Sequence, residues 1–516
     1  MGLARTARWH SAIDAIEQGR LGGNVGGFTV GLFLIALYSI VLLGIGFLSM
    51  RRIKSVGDYF LGGRSIGPWV SAFAYGTTYF SAVLFIGFAG KLGWSFGLDA
   101  LWVVAGNTVI GTFLAWKILA KRTRFLTSRL DAMTLPQFLG ARYQSRFLTG
   151  ISALIIFFFL LPYSASVFIG LSYLFEVTFG ISYATGLLVM CVVTAAFLVM
   201  GGYRAVALTD VVMGALMIVG AIMLLVSIVG AAGGLGTVLS QLPVRYSQHV
   251  PKAPGFLGIL PLVLMTSLGP LALPQMVQKF YAIKNERVIF TATVVASPFA
   301  LIITLAAYLS GAMTHLFFDS IPSNNPDLLM PSLISNTVSP VLLGLVVLLV
   351  LAASMSTLSS LVLVSASSVA MDLYARLLRP QASRHQTMLL LRGLSAVFVL
   401  FSMAIAISPP SIIVYLMSMS WGTVAGSFLA PFLYGLFWKP TTKAGAIAGV
   451  FSGFAISVGL YLWWGQSRST EAAVIAMLAP LVVVPLVSMV TKPFSEQHLA
   501  LVFGEEPGHA TGAERA

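Results

Sequence analysis

Thirteen stretches of this chain stay apolar for about 20 residues or more, the length an α-helix needs to cross a bilayer. They fall at about 28–50, 66–90, 96–116, 148–176, 181–202, 206–230, 256–279, 288–313, 341–371, 390–408, 411–438, 444–464 and 471–491. Inside lipid every backbone N–H and C=O must be paired within the protein, which leaves helices or closed barrels as spanning structures. Stretches of this length predict an all-α polytopic membrane protein of about 13 transmembrane helices. Hydrophobic residues make up 58% of the 516 and charged residues 9%, against about 25% charged in soluble domains. The polar segment 1–27 leads into an apolar run with no small-residue cleavage site, so it is expected to remain as an N-terminal extracytoplasmic segment. Residues 28–491 then form the transmembrane domain and 492–516 a cytoplasmic tail.

Several function classes drop out. One cysteine, Cys191, rules out a disulfide framework and any multi-cysteine metal centre. The six histidines are scattered singly, and neither a dinucleotide-binding glycine motif nor a phosphate-binding GxxxxGK[ST] loop is present. Neither an enzyme nor an ATP-driven pump is expected, and no obligate protein partner is evident. The net charge of +14 suits basic cytoplasmic loops better than nucleic acid. With the loop after the first span placed in the cytoplasm, that side collects 22 of the 30 Lys and Arg, Lys279 among them. The other side holds seven, and Arg515 lies in the tail. This bias predicts a multi-pass protein of the cell membrane, N-terminus outside and C-terminus in the cytoplasm.

The ninth span carries chemistry that lipid burial alone does not ask for. LAASMSTLSSLVLVSASS, residues 351–368, places Ala353, Ser356, Thr357 and Ser360 at i, i+3, i+4 and i+7, on one helical face, with Ser359 beside it. Hydroxyl and carbonyl oxygens are hard, neutral ligands that can replace the water of an alkali cation without adding fixed charge to the bilayer.

Two spans look interrupted. Span two, GPWVSAFAYGTTYFSAVLFIGFAG, centres on Gly76-Thr77-Thr78, and span seven, LPLVLMTSLGPLALPQMVQKF, carries Gly269-Pro270 and Pro274. Broken helices at matching places in two halves point to an inverted-repeat transporter with its site near the midplane. Residues 66–230 would form repeat one and 256–438 repeat two. Asp210, at the start of span six, admits two readings: a helix N-cap, or a carboxylate that helps hold a cation.

The chain resembles the sodium/solute symporter family, whose members carry proline, pantothenate, sialic acid or galactose with sodium. The resemblance rests on DYFLGGRSIGPW at 58–69, TLPQFLGARY at 134–143, GGYRAVALTD at 201–210, LPQMVQKF at 273–280 and AASMSTLSSLVLVSASSVAMDLY at 352–374. It implies the inverted-repeat transporter fold, sodium as coupling ion, and alternating access. It also implies a main sodium site made of the carbonyls of Thr77, Phe80 and Ala353 and the hydroxyls of Ser356 and Thr357. A second sodium, found in some members, would fall to Asp210, Ser356, Ser359 and Ser360.

By the same resemblance the solute lies beside the broken helices, which nominates Tyr79, Ser81, Tyr163, Thr266, Ser267, Gln275, Tyr415 and Ser420. Tyr163 matches a pocket position of the proline carriers. Tyr79 and Thr266 depart from them, standing where those carriers have an aspartate and a tryptophan. A sugar calls for several charged or amide groups, and only Asp99, Asn107 and Gln275 are evident. A small amino acid such as proline, or a monocarboxylate, fits better, its carboxylate held by free backbone N–H groups at a helix break. Pantothenate or a sugar, and proton coupling on the same fold, stand as alternatives; the neutral Ser356-Thr357 pair speaks against the proton.

Overall fold

A computed structural model describes residues 60–504 and, ahead of them, residues 33, 36–42, 44, 45 and 47. The expected first span and the N-terminal segment therefore lie largely outside the described residues, as does the end of the tail. Among the described residues there is no strand, only an isolated parallel bridge between Ile66 and Ile283. Ten helical stretches among the described residues are long and apolar enough to cross a membrane, and Tyr183–Phe197 is a shorter apolar helix.

Ten differs from thirteen for identifiable reasons. Pro68–Tyr79, with only 12 residues, is the first half of an interrupted span. Its second half runs on past a turn at Gly97 (φ 55°) into span three, so that Val83–Arg129 appears as a single stretch. The expected fifth span is the short helix, and the first lies outside the described residues.

Seven helices position the site: α1 (Pro68–Tyr79), α2 (Val206–Ala231), α3 (Gly255–Leu268), α4 (Pro274–Tyr281), α5 (Arg287–Ala312), α6 (Pro340–Ser367) and α7 (Ile413–Phe437). Pro68, Pro274 and Pro340 stand in the first turns of their helices, where a missing N–H costs nothing. Residues 346–368, nearly all of them in α6, are buried without interruption, so α6 is the central post of the bundle. Its hydroxyls survive there by bonding back to their own helix: Ser354 to Val350 O (2.6 Å), Thr357 to Ala353 O (3.1 Å) and Ser359 to Met355 O (2.6 Å).

Small residues let the other helices close on this post. A side chain at Gly220 of α2 would run into Leu349 of α6, and one at Gly76 of α1 would run into the Phe299 ring of α5. The Gly62-Gly63-Arg64 segment ahead of α1 takes φ of 59°, 67° and 53°, which explains the paired glycines. The turn aims Arg64 at the carbonyls of Ala132 (2.9 Å) and Thr127 (3.3 Å). Ile66 N then donates to Ala282 O (3.2 Å) and Lys284 N to Ile66 O (3.1 Å). The start of broken span two is thereby tied to the end of broken span seven.

Candidate cation and solute sites at the helix breaks

Helix α1 closes its last turn with Phe80 N donating to Gly76 O (3.2 Å), and Phe80 itself is extended (φ −112°, ψ 125°). In a continuous helix Ala82 N would bond Thr78 O. Instead it donates to Ser354 Oγ of α6 (3.0 Å). The carbonyls of Thr77 and Thr78 lose their helical partners through this break and turn to α6. The interruption thus falls at Phe80–Ser81, a turn later than the Gly76-Thr77-Thr78 centre expected from sequence. Gly76 and both threonines remain helical because Gly76 serves close packing rather than a bend.

Thr357 Oγ1 lies 3.1 Å from Thr78 O, 3.1 Å from Ala353 O and 3.4 Å from Thr77 O. A hydroxyl has one hydrogen to give, so three carbonyls converging on it leave surplus negative oxygen facing one point. Ser356 Oγ bonds Thr77 Oγ1 at 2.8 Å, adding two further oxygens. Thr77, Ser356 and Thr357 are all fully buried. Such a cluster suits a small, hard monovalent cation. Thr77, Ala353, Ser356 and Thr357, four of the five residues expected to hold sodium, are therefore together, with the carbonyl of Thr78 beside them. Thr78 was legible only from the register of the break.

Asp210 sits inside the helix that runs through α2, fully buried, which removes the N-cap reading. Its Oδ2 lies 3.9 Å from the ammonium of Lys279, which donates to Ser360 Oγ at 3.0 Å. Ser360 Oγ in turn shares a hydrogen with Thr78 Oγ1 at 3.0 Å. The structure corrects the placement of Lys279 among loop charges. The break restarts span seven at Pro274, and α4 carries Lys279 into the interior, where its side chain is wholly buried. Ser359, expected near Asp210, points its hydroxyl at Met355 O.

Beside the break in α1 lies a small, partly open pocket. Tyr79, Ser81, Tyr163 and Thr266, all named from sequence, line it, joined by Phe80, Asn107, Tyr308, Met417 and Trp421. None of the described residues that line it is charged. Tyr79 stacks on Phe80 (centroids 4.3 Å apart) and more distantly on Trp421 (6.4 Å), and Tyr163 meets Trp421 edge-on at 5.7 Å. Tyr79 OH donates to Thr266 O at 2.6 Å, closing one wall. The break in α3–α4 serves this wall too, since a side chain at Gly269 would collide with the Trp421 ring. Trp421 is 2% exposed, and its indole N–H has no hydrogen-bond partner among the described residues.

The remaining candidates lie elsewhere. Ser267 sits behind the wall, its Oγ 3.5 Å from Asn107 Oδ1. Gln275 is buried but does not line the cavity. Ser420 donates to Phe159 O, and Tyr415 lies under the Lys91 ammonium, 3.7 Å from its ring centroid. Of the N–H groups at the break in span two, that of Ala82 is taken by Ser354 Oγ and that of Val83 by Ser81 Oγ (3.2 Å). Trp421 was not singled out because nothing in its sequence neighbourhood separates it from an ordinary core aromatic.

A family model described as the sodium:solute symporter family matches residues 59–453. The sodium/proline symporter of Escherichia coli K12 is 31% identical over 443 residues, covering 84% of this chain and 87% of that protein. The sodium/proline symporter of Staphylococcus aureus JH9 is 32% identical over 84% of this chain and 85% of its own length. The osmoregulated proline transporter of Bacillus subtilis is 29% identical over 89% of this chain and 94% of its own. Among solved structures, a sodium-coupled sialic acid symporter in a substrate-bound outward-open state superposes with TM-score 0.73 at 18% identity, covering 90% of this chain and 98% of that one. A nucleobase-cation-symport-1 family transporter does so with TM-score 0.54 at 14% identity, over 86% and 97% of the two chains. At these identities the two structures speak for the fold alone.

Proposed function

The chain belongs to the sodium:solute symporter family and performs sodium-coupled solute symport, and we propose that its solute is a small zwitterionic amino acid, proline foremost. The observation that carries the choice is the neutral aromatic pocket lined by Trp421, whose buried indole N–H has no hydrogen-bond partner among the described residues. A buried donor left unpaired costs about 1–3 kcal/mol, and a solute carboxylate relieves it. The faces of Tyr79, Phe80 and Trp421 suit a ring and its ammonium together, through apolar contact and cation–π attraction. A sugar would leave most of its hydroxyls unpaired in such a lining, where Asn107 supplies the amide. The proline carriers named above support the same class.

Sodium binds, on this reading, among the carbonyls of Thr77, Thr78 and Ala353 and the hydroxyls of Ser356 and Thr357. Ser354 and Ala82 link that site to the break that forms the cavity floor. A bound cation draws in the freed carbonyls and so fixes the break, and the break positions Tyr79, Phe80 and Ser81 for the solute. Each sodium ion moving inward releases about 2.3 kcal/mol per 100 mV, and rocking of the two repeats, 66–230 against 256–438, converts this into accumulation by alternating access. The excess of Lys and Arg on one side supports an N-terminus outside and a C-terminus in the cytoplasm of a cell membrane.

Competition for sodium-driven proline uptake in proteoliposomes tests the solute class. Unlabelled proline and close cyclic amino acids should compete, and sialic acid, galactose and pantothenate should not. Trp421→Phe should raise the KM for proline about tenfold or more, the worth of a hydrogen bond to a charged group, with sodium half-saturation unchanged. Absence of proline uptake together with strong uptake of a sugar would defeat the assignment.

A further inference from the structure

We infer that the ammonium of Lys279 is a built-in cation standing in the place of a second sodium ion, so that this carrier moves one sodium ion per solute. The inference rests on the sodium site proposed at Thr357 and deepens it by fixing the stoichiometry. The expected second site needed four residues; the hydroxyls of Ser359 and Ser360 are committed elsewhere, while both carboxylate oxygens of Asp210 are buried without a hydrogen-bond partner among the described residues. Lys279 donates to Ser360 (3.0 Å) and faces Asp210 Oδ2 (3.9 Å). Ser356 is turned to Thr77 (2.8 Å), and Ser359 to the carbonyl of Met355 (2.6 Å). Both members of the charged pair are wholly buried. A sodium ion between Asp210 and Ser360 would have to sit against the ammonium. Repulsion between two unit charges about 4 Å apart in a buried site amounts to roughly three decades of affinity.

The position of Lys279 in the fold explains why it is there. Helix α4 starts afresh at Pro274 and packs against α1 and α6, which brings its sixth residue level with Ser360. A tethered ammonium needs no recruitment from solution and does not leave with the solute. It neutralises Asp210 throughout the cycle, while the exchangeable ion occupies the neutral oxygens one turn earlier on α6. The arrangement sets the driving force: at 100 mV one sodium ion sustains about fortyfold accumulation of a zwitterion before any sodium gradient, and two would sustain on the order of a thousandfold.

Equilibrium binding of radiolabelled sodium to the purified full-length protein counts the ions directly, without a solute. Wild type should bind one ion per protein. Lys279→Met, which removes the charge and keeps the length, should bind two, and its melting temperature should rise with sodium where the wild type's second rise is missing. The double variant D210N/K279M, neutral at both positions, should return to one, and it keeps the test open if K279M folds poorly. Two ions bound by the wild type would overturn the inference while leaving sodium symport intact, and so would one ion bound by a well-folded K279M. No sodium bound by any of the three would instead bring down the symport reading on which it rests.

Discussion

One turn of α6 separates two cation positions that are built in opposite ways. Around Thr357 the direct contacts are neutral: three carbonyls and the hydroxyls of Thr77, Ser356 and Thr357 share too few hydrogens for their lone pairs, with the Asp210 carboxylate reaching the outer side of Ser356 and Thr77. Around Ser360 there is a full carboxylate and a full ammonium, Asp210 and Lys279. An ion that must enter and leave in every cycle is held by neutral oxygens, favourable enough to bind and weak enough to release. A cation that never leaves belongs to the chain and is matched with a fixed charge. The two positions touch through Thr78, whose carbonyl faces Thr357 and whose hydroxyl meets Ser360. The charged pair thereby holds, through Ser360, the threonine proposed to serve the exchangeable ion.

The contrast predicts different kinds of damage at the two positions. Asp210→Asn strips a buried ammonium of its counter-charge and should cost about 3–5 kcal/mol of stability, seen as a large fall in melting temperature in detergent; D210N/K279M should recover most of it. A D210N protein as stable as wild type would show that the pair carries no structural weight. Thr357→Ala should leave stability nearly unchanged and raise half-saturating sodium by roughly 10-fold to 100-fold, the worth of a ligand bond to a charged group, with proline KM at saturating sodium unaltered. An unshifted sodium dependence would remove Thr357 from the site. Ser359→Ala should change sodium affinity by less than about twofold, because that hydroxyl is spent on Met355 O; a larger change in the binding curve would return Ser359 to the cation shell.

Period and composition made the helical bundle legible, since a run of apolar residues long enough to span has few structural options. The hydroxyl face of α6 was equally open to reading, because helical spacing alone puts Ala353, Ser356, Thr357 and Ser360 in line. The break in span seven announced itself through Gly269-Pro270 and Pro274. The break in span two was displaced, since Gly76 looks like a helix breaker and acts as a packing contact for Phe299, and the true discontinuity at Phe80–Ser81 is enforced by Ser354 from a distant helix. Lys279 misled for a related reason. At the end of an apolar run a lysine reads as a loop charge, and only the restart of the helix at Pro274 takes it inside. Trp421 carries no local mark at all, and its importance comes from a cavity assembled by six spans.

The claim beneath all of this is that a dehydrated alkali ion, gripped by neutral oxygens of spans two and nine, drives the solute. Concentrative proline uptake into proteoliposomes, with an inward gradient of sodium or of choline at fixed pH and fixed potential, addresses it most directly. Accumulation above equilibrium with sodium and none with choline is the predicted result. Equal accumulation in choline, or accumulation that follows an imposed proton gradient instead, would contradict it.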